Sequence, residues 1–307
     1  MMTSNSLRAF LELARAGSVR GAAARLHVTQ PAVTAAVRSL ERELRTPLVA
    51  RHGRGIVLTP AGEVLAGYAA RVLGLLDETT AAVHEAASRG TGRIRLAAVT
   101  TAAEHVLPRI IRDFRGLHSA MEIELEVGNR RTVWERLRDR EADLAVGGRP
   151  PAGQGFAGTP FRSNDLVLAA SPDVALEREP ARPADLAAAT WLLREPGSGT
   201  RATAEEFLAA AGISPPTLTI GSNGAIVESV AAGLGVTLIA HDAVRRAEAA
   251  GEVRVLPVRG LPLRRAWYVV TRTPEDLHAA PRTFRDFLLG STAPGGRPDH
   301  RRHHPSG

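Results

Sequence analysis

The chain has 307 residues, 44% of them hydrophobic, which is enough for about two soluble domains with sizeable cores. Cysteine is absent, which excludes disulfides, thiolate metal sites and cysteine nucleophiles and fits a reducing cytoplasm. The net charge is +7, no apolar run approaches the ~18–20 residues of a membrane span, and the opening MMTSNSLRAF lacks the features of a signal peptide, so a cytoplasmic protein is expected.

The charge is uneven. Residues 1–60 hold nine arginines against three acids, a balance of +6, whereas residues 61–290 come to −1. Positive charge concentrated in one short segment is the footprint of a polyanion partner, most often DNA. All 39 basic residues are arginine, so the choice of arginine over lysine carries no message; the asymmetry does.

Leu7, Phe10, Leu11 and Ala14 recur at helical spacing up to Gly17. Ser18 is a cap for a second helix burying Val19, Ala22, Ala23 and Leu26. After the turn His27-Val28, Thr29 caps a third helix with Pro31 in its first turn, burying Val33, Val37, Leu40 and Leu44. Gln30, Thr34 and Arg38, four residues apart, share its opposite face. Such a stripe suits base edges and phosphates in a major groove; the competing reading is a solvated face of a three-helix bundle. The small-residue second helix, the tight turn and the local charge favour DNA. Arg51-His52-Gly53-Arg54-Gly55 reads as the tip of a basic hairpin beside this helix, that is, a wing.

Thr59-Pro60 starts a helix without a strong breaker until about Ser88. Leu65, Tyr68, Val72, Leu75, Leu76 and Val83 form an apolar stripe along it, which implies a second copy of the chain as partner; the alternative is packing on its own domain. Residues 60–89 therefore serve as linker and dimerisation helix with a hinge at Arg89-Gly90-Thr91-Gly92.

From Arg93 strands alternate with helices. Strands are expected at 93–99, 122–127, 143–146, 166–170, 218–220, 236–240 and 265–271, and helices at about 105–116, 130–140, 200–211, 224–233 and 279–289. This alternation implies mostly parallel sheets covered by helices, with ligands at the C-terminal strand ends. Five polar turns lie there: Val99-Thr100-Thr101-Ala102, Gly128-Asn129-Arg130, Gly147–Pro151, Arg194–Arg201 and Gly221–Gly224. Free N–H groups, hydroxyls and helix starts make them anion-binding candidates, and the set points to a cleft around Thr100, Thr101, Asn129, Arg149, Glu195, Gly197, Ser198, Gly199, Thr200, Arg201 and Asn223. An enzyme is the rival reading, with Ser198, Glu195 and His241 as hydrolytic groups of a small-molecule hydrolase. There is no G-x-S-x-G elbow, metal-spaced His/Asp cluster or P-loop. No metal site or resident cofactor is expected; His300, His303 and His304 fall in a basic tail, 291–307, expected to be disordered.

The run from AFLELARAG to LTPAGEVL, through V-T-Q-P-A-V, S-L-E-x-E-L, R-x-G-R and L-T-P-A-G, resembles the DNA-binding region of LysR-type transcriptional regulators. The resemblance implies a winged helix-turn-helix over 1–59, with Thr29, Gln30, Pro31, Thr34 and Arg38 on the recognition helix and Arg51 and Arg54 on the wing. Arg20 stands where the family has Thr or Ser and is expected to touch phosphate, and Ala35-Ala36 replace a polar pair. Residues 90–290 resemble the α/β type 2 periplasmic-binding-protein-like sensor of the family, with lobe I at about 93–162 plus 264–290 and lobe II at about 163–263. VTTA, GNR-x-x-V, DLAVGGRPP, REPGSGTR and SN-x-AI are similar to the regulators of Calvin-cycle (RuBisCO) operons. Promoter DNA, a homodimer or homotetramer, RNA polymerase for an activator, and a small anionic effector are implied. Phosphorylated metabolites or NADPH are the effectors the subgroup suggests.

Overall fold

The computed structural model describes residues 2–53, 55–88, 90–176, 178–273 and 277–290, so Arg54 and the tail 291–307 lie outside the described residues. The chain divides into two compact units, residues 1–89 with 135–142, and residues 90–134 with 143–307.

The first unit contains α1 (Ser4–Ala16), α2 (Val19–Leu26), α3 (Gln30–Leu44), a hairpin of β1 (Val49–His52) and β2 (Gly55–Leu58), and α4 (Pro60–Ala87). Phe10, Leu13, Val33, Val37, Leu40 and Leu48 form its core, with Ala22 and Ala23 small enough to bring α2 close. Leu44, expected in this core, sits exposed at the end of α3. Ser18 caps α2 by accepting from the Gly21 N–H at 3.2 Å. Gly17, His27 and Arg45 end the three helices in the left-handed region.

The L-T-P-A-G segment has a mechanical explanation. The Thr59 hydroxyl accepts from the Gly62 N–H at 3.0 Å and donates to the Pro47 carbonyl at 2.8 Å, clamping the start of α4 onto the chain entering β1. A Cβ on Gly62 would lie 2.0 Å from the Leu48 carbonyl oxygen, so only glycine permits the approach. Glu41 secures the same segment from α3, accepting from the Leu48 N–H at 2.9 Å.

Along α4, Ala69 and Leu73 are buried and Leu65 packs against the same core. Val64, Tyr68, Val72, Leu75, Leu76 and Val83 are 47–62% exposed. The apolar stripe expected along this helix is thus present on its outer side, with one correction: Leu65 faces inward, and Val64 occupies the outer face instead.

The rest of the chain, which forms the second unit apart from the end of α7, runs β3 (Gly92–Val99), α5 (Thr100–His105), α6 (Leu107–Leu117), β4 (Met121–Gly128), α7 (Arg130–Arg138), β5 (Leu144–Gly147), β6 (Ala157–Ser163), β7 (Leu166–Ala170), β8 (Trp191–Leu193), α8 (Gly199–Ala211), β9 (Thr217–Thr219), α9 (Asn223–Ala231), β10 (Thr237–Ala240), α10 (His241–Ala249), β11 (Arg254–Leu256), β12 (Ala266–Thr271) and α11 (Ala279–Gly290). One lobe is a five-stranded sheet in the order β4-β3-β5-β12-β6. Its core joins Ile94, Leu96, Leu144, Val146 and Val269 to Phe114 and Phe284, whose rings meet edge-on at 4.9 Å. The other lobe holds β7 between β10 and β11, and the pair β8-β9. Trp191 fills its core and donates its indole N–H to the Leu186 carbonyl at 3.2 Å.

The sheets are less parallel than the alternation suggests. Parallel pairing holds for β3 with β4 and β5 and for β8 with β9. β12 is antiparallel to β5 and β6, and β7 to β10 and β11. The cause is the chain crossing between lobes twice. The outgoing and returning segments run side by side, with Asn164 N–H on the Arg265 carbonyl at 2.8 Å and Leu166 N–H on the Leu263 carbonyl at 3.0 Å.

Asp143 locks β3 to the turn before β5. It is 2% exposed and accepts from the Arg95 backbone N–H at 2.8 Å and from Arg95 Nε at 3.1 Å. Burial alone pushes its carboxyl up, but hydrogen bonds from His278 and Arg95 outweigh that and hold it down at about 2. A carboxyl depressed on folding contributes stability that is present above its ordinary value near 4 and is lost as pH falls toward 2. Urea melts should therefore show the second unit losing about 2 kcal/mol between pH 4 and 2. Asp143→Asn should remove this acid limb and lower stability at neutral pH by a similar amount. For the first unit, Gly62→Ala should cost about 1–3 kcal/mol in a thermal melt, because backbone must move to admit the methyl group.

Candidate functional site

Two sites emerge, one in each unit. In the first, Gln30 and Arg38 on α3 are exposed, Thr34 between them is half-buried, and Thr29, Pro31 and Ala35 are exposed beside them. Thr34 donates to the Gln30 carbonyl at 3.0 Å, which leaves its oxygen as an acceptor. Thr29 stands at the cap position of α3 without a side-chain capping bond. The groove along this face is lined by Val19 of α2 and by Gln30, Pro31, Thr34, Ala35 and Arg38 of α3. Arg20 and, on β1, Arg51 are exposed.

The ion pairs separate the cations into two sets. Arg8 is paired with Asp77 at 3.1 Å, and Glu12 takes both Arg15 at 2.9 Å and Arg25 at 3.5 Å. Arg20, Arg38 and Arg51 have no ion-pair partner among the described residues. Arg42 on α3 and Arg45 at its end have none either, so the unneutralised positive charge of this unit spreads over α2, α3 and the hairpin, where phosphates can complete it. The hairpin is held in place by the Ile56 N–H, which donates to the Gly17 carbonyl at 2.8 Å.

In the second unit a cavity of about 740 Å³ opens between the two lobes. Its walls include Thr100 and Thr101 at the start of α5, Asn129 and Arg130 after β4, Arg149 after β5, and Ser198, Gly199 and Thr200 opening α8. The paired crossing segments contribute Asn164, Leu166, Arg264, Arg265 and Ala266. Asn129 caps α7 by accepting from the Thr132 N–H at 3.1 Å. Ser198 is buried at the cap of α8 and makes no capping bond, so its hydroxyl is not committed to the helix. Gly197 takes a φ of +91° to make this turn.

The cavity is strongly cationic. Arg130, Arg149, Arg194, Arg264 and Arg265 line it, against Glu206 as the one acidic wall residue. Arg265 lies 3.7 Å from Glu206, and Arg194 is engaged by Glu195. Arg149 Nε donates to the Tyr268 hydroxyl at 3.4 Å, and Arg130 to the Arg149 carbonyl at 3.3 Å. Helix N-termini, hydroxyls and guanidinium groups together favour an anion.

Of the residues assigned to this cleft from sequence, Thr100, Thr101, Asn129, Arg149, Ser198, Gly199 and Thr200 form its walls. The other four do not. Glu195 is held by Arg194, and Arg201 turns away to Glu205 at 2.7 Å and to the Arg194 carbonyl at 3.0 Å. Gly197 sits behind Asn129, and Asn223 is buried behind Thr101 and Arg194. Four of the five polar turns thus reach the cavity, and the Gly221–Gly224 turn does not. Sequence reasoning missed Arg194, Arg130, Arg264, Arg265 and Tyr268. Arg194 and Arg130 lie inside the polar turns already singled out; the Arg264-Arg265 pair was readable only as the start of a strand.

A DNA-reading helix with a basic hairpin, followed by a two-lobed cationic cleft, defines a ligand-responsive DNA-binding protein. The lysR family of bacterial regulatory helix-turn-helix proteins matches residues 4–63, and the LysR substrate binding domain matches residues 87–293. The chain belongs to the LysR family and is a transcriptional regulator with an effector-binding domain. It is 34% identical to a RuBisCO operon transcriptional regulator of Acidithiobacillus ferrooxidans over 95% of both chains. It is 33% identical to the HTH-type transcriptional regulator CfxR of Cupriavidus necator over 95% of this chain and 92% of that one. Among solved structures, the regulatory domain of Synechocystis CcmR in complex with 2-PG shares 29% identity, with a TM-score of 0.63, over 66% of this chain and 98% of that one. Full-length CbnR complexed with its target DNA shares the fold, at 22% identity and a TM-score of 0.64, over 95% of this chain and 99% of that one. These relatives are regulators, and the hydrolase reading has no support: His241 is bonded to Glu248 at 2.7 Å, and Glu195 to Arg194.

Proposed function

We propose that the chain pairs with a second copy through the outer face of α4 and reads promoter DNA with Gln30, Thr34 and Arg38, while Arg20, Arg51 and Arg54 hold phosphates. A small anion in the cleft, most simply a phosphorylated acid, shifts the balance between two arrangements of the assembly. The observation that carries the ligand class is the set of five arginines around the cavity; CcmR, solved with 2-PG, supports it. RNA polymerase is the further partner when the output is activation. The exposed apolar stripe of α4 supports pairing, because six large side chains on one helix face are stable in water only when covered. Two copies place two recognition helices on two half-sites of one operator. The ligand switches the regulator only by binding one arrangement more tightly than the other.

Fluorescence anisotropy on the promoter fragment upstream of the coding gene tests the two sites separately. Arg38→Ala should weaken binding by about tenfold or more, with the oligomer intact, as loss of one base or phosphate contact implies. Ser198→Glu should leave operator affinity unchanged and abolish the response to 2-PG, because a carboxylate then occupies the anion position. Wild-type affinity in Arg38→Ala would overturn the recognition face. A retained response in Ser198→Glu would overturn the cleft. Leu75→Arg combined with Leu76→Arg should give a folded monomer by light scattering, with operator affinity reduced at least about a hundredfold as the second half-site is lost.

A further inference from the structure

Three of the best-buried polar side chains of the second unit are bonded to one another. Asn223 is 1% exposed, Arg194 4% and Thr101 5%. Arg194 donates through Nη1 to Asn223 Oδ1, and Asn223 Nδ2 donates to Thr101 Oγ1 at 2.8 Å. Arg194 and Thr101 line the cavity from opposite lobes; Asn223 lies behind both and does not reach it.

The polarity of this chain is set by chemistry. A guanidinium only donates, so the Asn223 amide must turn its oxygen to Arg194 and its NH₂ to Thr101. The Thr101 oxygen therefore accepts, and its own hydrogen is left for another acceptor. Arg194 also donates to Glu195 through Nε at 2.8 Å and Nη2 at 3.1 Å. Of the five guanidinium N–H groups two then remain, one on each terminal nitrogen.

We infer that Asn223 is a positioning residue for the ligand: without touching it, the amide aims one donor from each lobe, the Thr101 hydroxyl and an Arg194 N–H, at the same ligand oxyanion. This rests on the reading of the cavity as the ligand site. The same amide ties the two lobes together before ligand arrives. It also makes the site selective for oxygen that only accepts, since a ligand donor at this point would meet two donors.

The test uses the full chain titrated with 2-PG and with inorganic phosphate by calorimetry. Asn223→Asp keeps the size and still accepts from Arg194, but its carboxylate captures the Thr101 hydrogen. Binding should weaken about tenfold or more with the melting temperature little changed. Asn223→Ala should weaken binding in the wild-type background and much less in Thr101→Val, whereas Thr101→Ser should retain affinity. Wild-type affinity in Asn223→Asp, or equal losses for Asn223→Ala in both backgrounds, overturns the proposal. Should the wild-type chain bind neither probe, the cleft reading falls, and the relay is decided by hydrogen exchange on the ligand-free chain. Asn223→Ala should then speed amide exchange at residues 100–106 and 222–227 and leave the five-stranded sheet unchanged; unaltered exchange in both segments sinks it.

Discussion

The second unit depends on two chain segments that cross between its lobes side by side. Residues 164–166 and 263–265 are hydrogen-bonded to each other, so the lobes are joined by a narrow antiparallel ribbon. Because both crossings leave from the same region, the turns that follow β3, β4 and β5 in one lobe face the start of α8 in the other. The cavity is the space those turns enclose. Its polarity follows from what strand-to-helix turns are made of: uncommitted N–H groups, small residues and hydroxyls. Arginines from the crossing ribbon and from the turns themselves then make its walls positive.

A second division concerns arginine. The chain has 39 of them, and composition alone does not say which matter. Partnership narrows the set. In the first unit the cations that face acids tie α1, α2 and α4 together, while Arg20 on α2, Arg38 on α3 and Arg51 on the hairpin, with Arg42 and Arg45, have no ion-pair partner among the described residues. In the second unit Arg95 is locked to buried Asp143, and Arg194 is oriented by Glu195 and Asn223 yet still lines the cavity. An arginine held by neighbours and still facing a cavity loses little freedom when an anion arrives, which favours affinity.

Much of this architecture was legible in the residues. Helical periodicity located α1 to α4, because each has one clearly apolar face and recognisable caps at Ser18, Thr29 and Thr59. Cleft residues Thr100 and Asn129 are legible because they follow apolar strands closely, and Ser198 because it sits in the small-residue run Gly197-Ser198-Gly199-Thr200 at the start of a helix. Elements that escaped were short or lacked a signal. β6 is an exposed strand carrying Pro160, β8 and β11 have three residues each, and α10 follows β10 with alanine rather than a capping residue at its start. Leu65 and Val64 exchanged places because a stripe several residues wide does not reveal which edge faces the core. Asn223 looked like a ligand contact since a polar turn residue near a helix start reads the same whether it points into a cavity or behind one.

The α4 helix has a geometric implication for how a signal can be transmitted. Its 28 residues make a rigid rod about 42 Å long. Its first turn is clamped by Thr59 and Gly62, and Ala69 and Leu73 are embedded in the helical core, so the rod and the reading head rotate as one piece. In the paired arrangement proposed above, a change of about 5° in the angle between two such rods would shift a point at their far ends by roughly 4 Å. That is slightly more than the rise of one base pair, enough to decide whether two heads meet successive grooves in step or out of step.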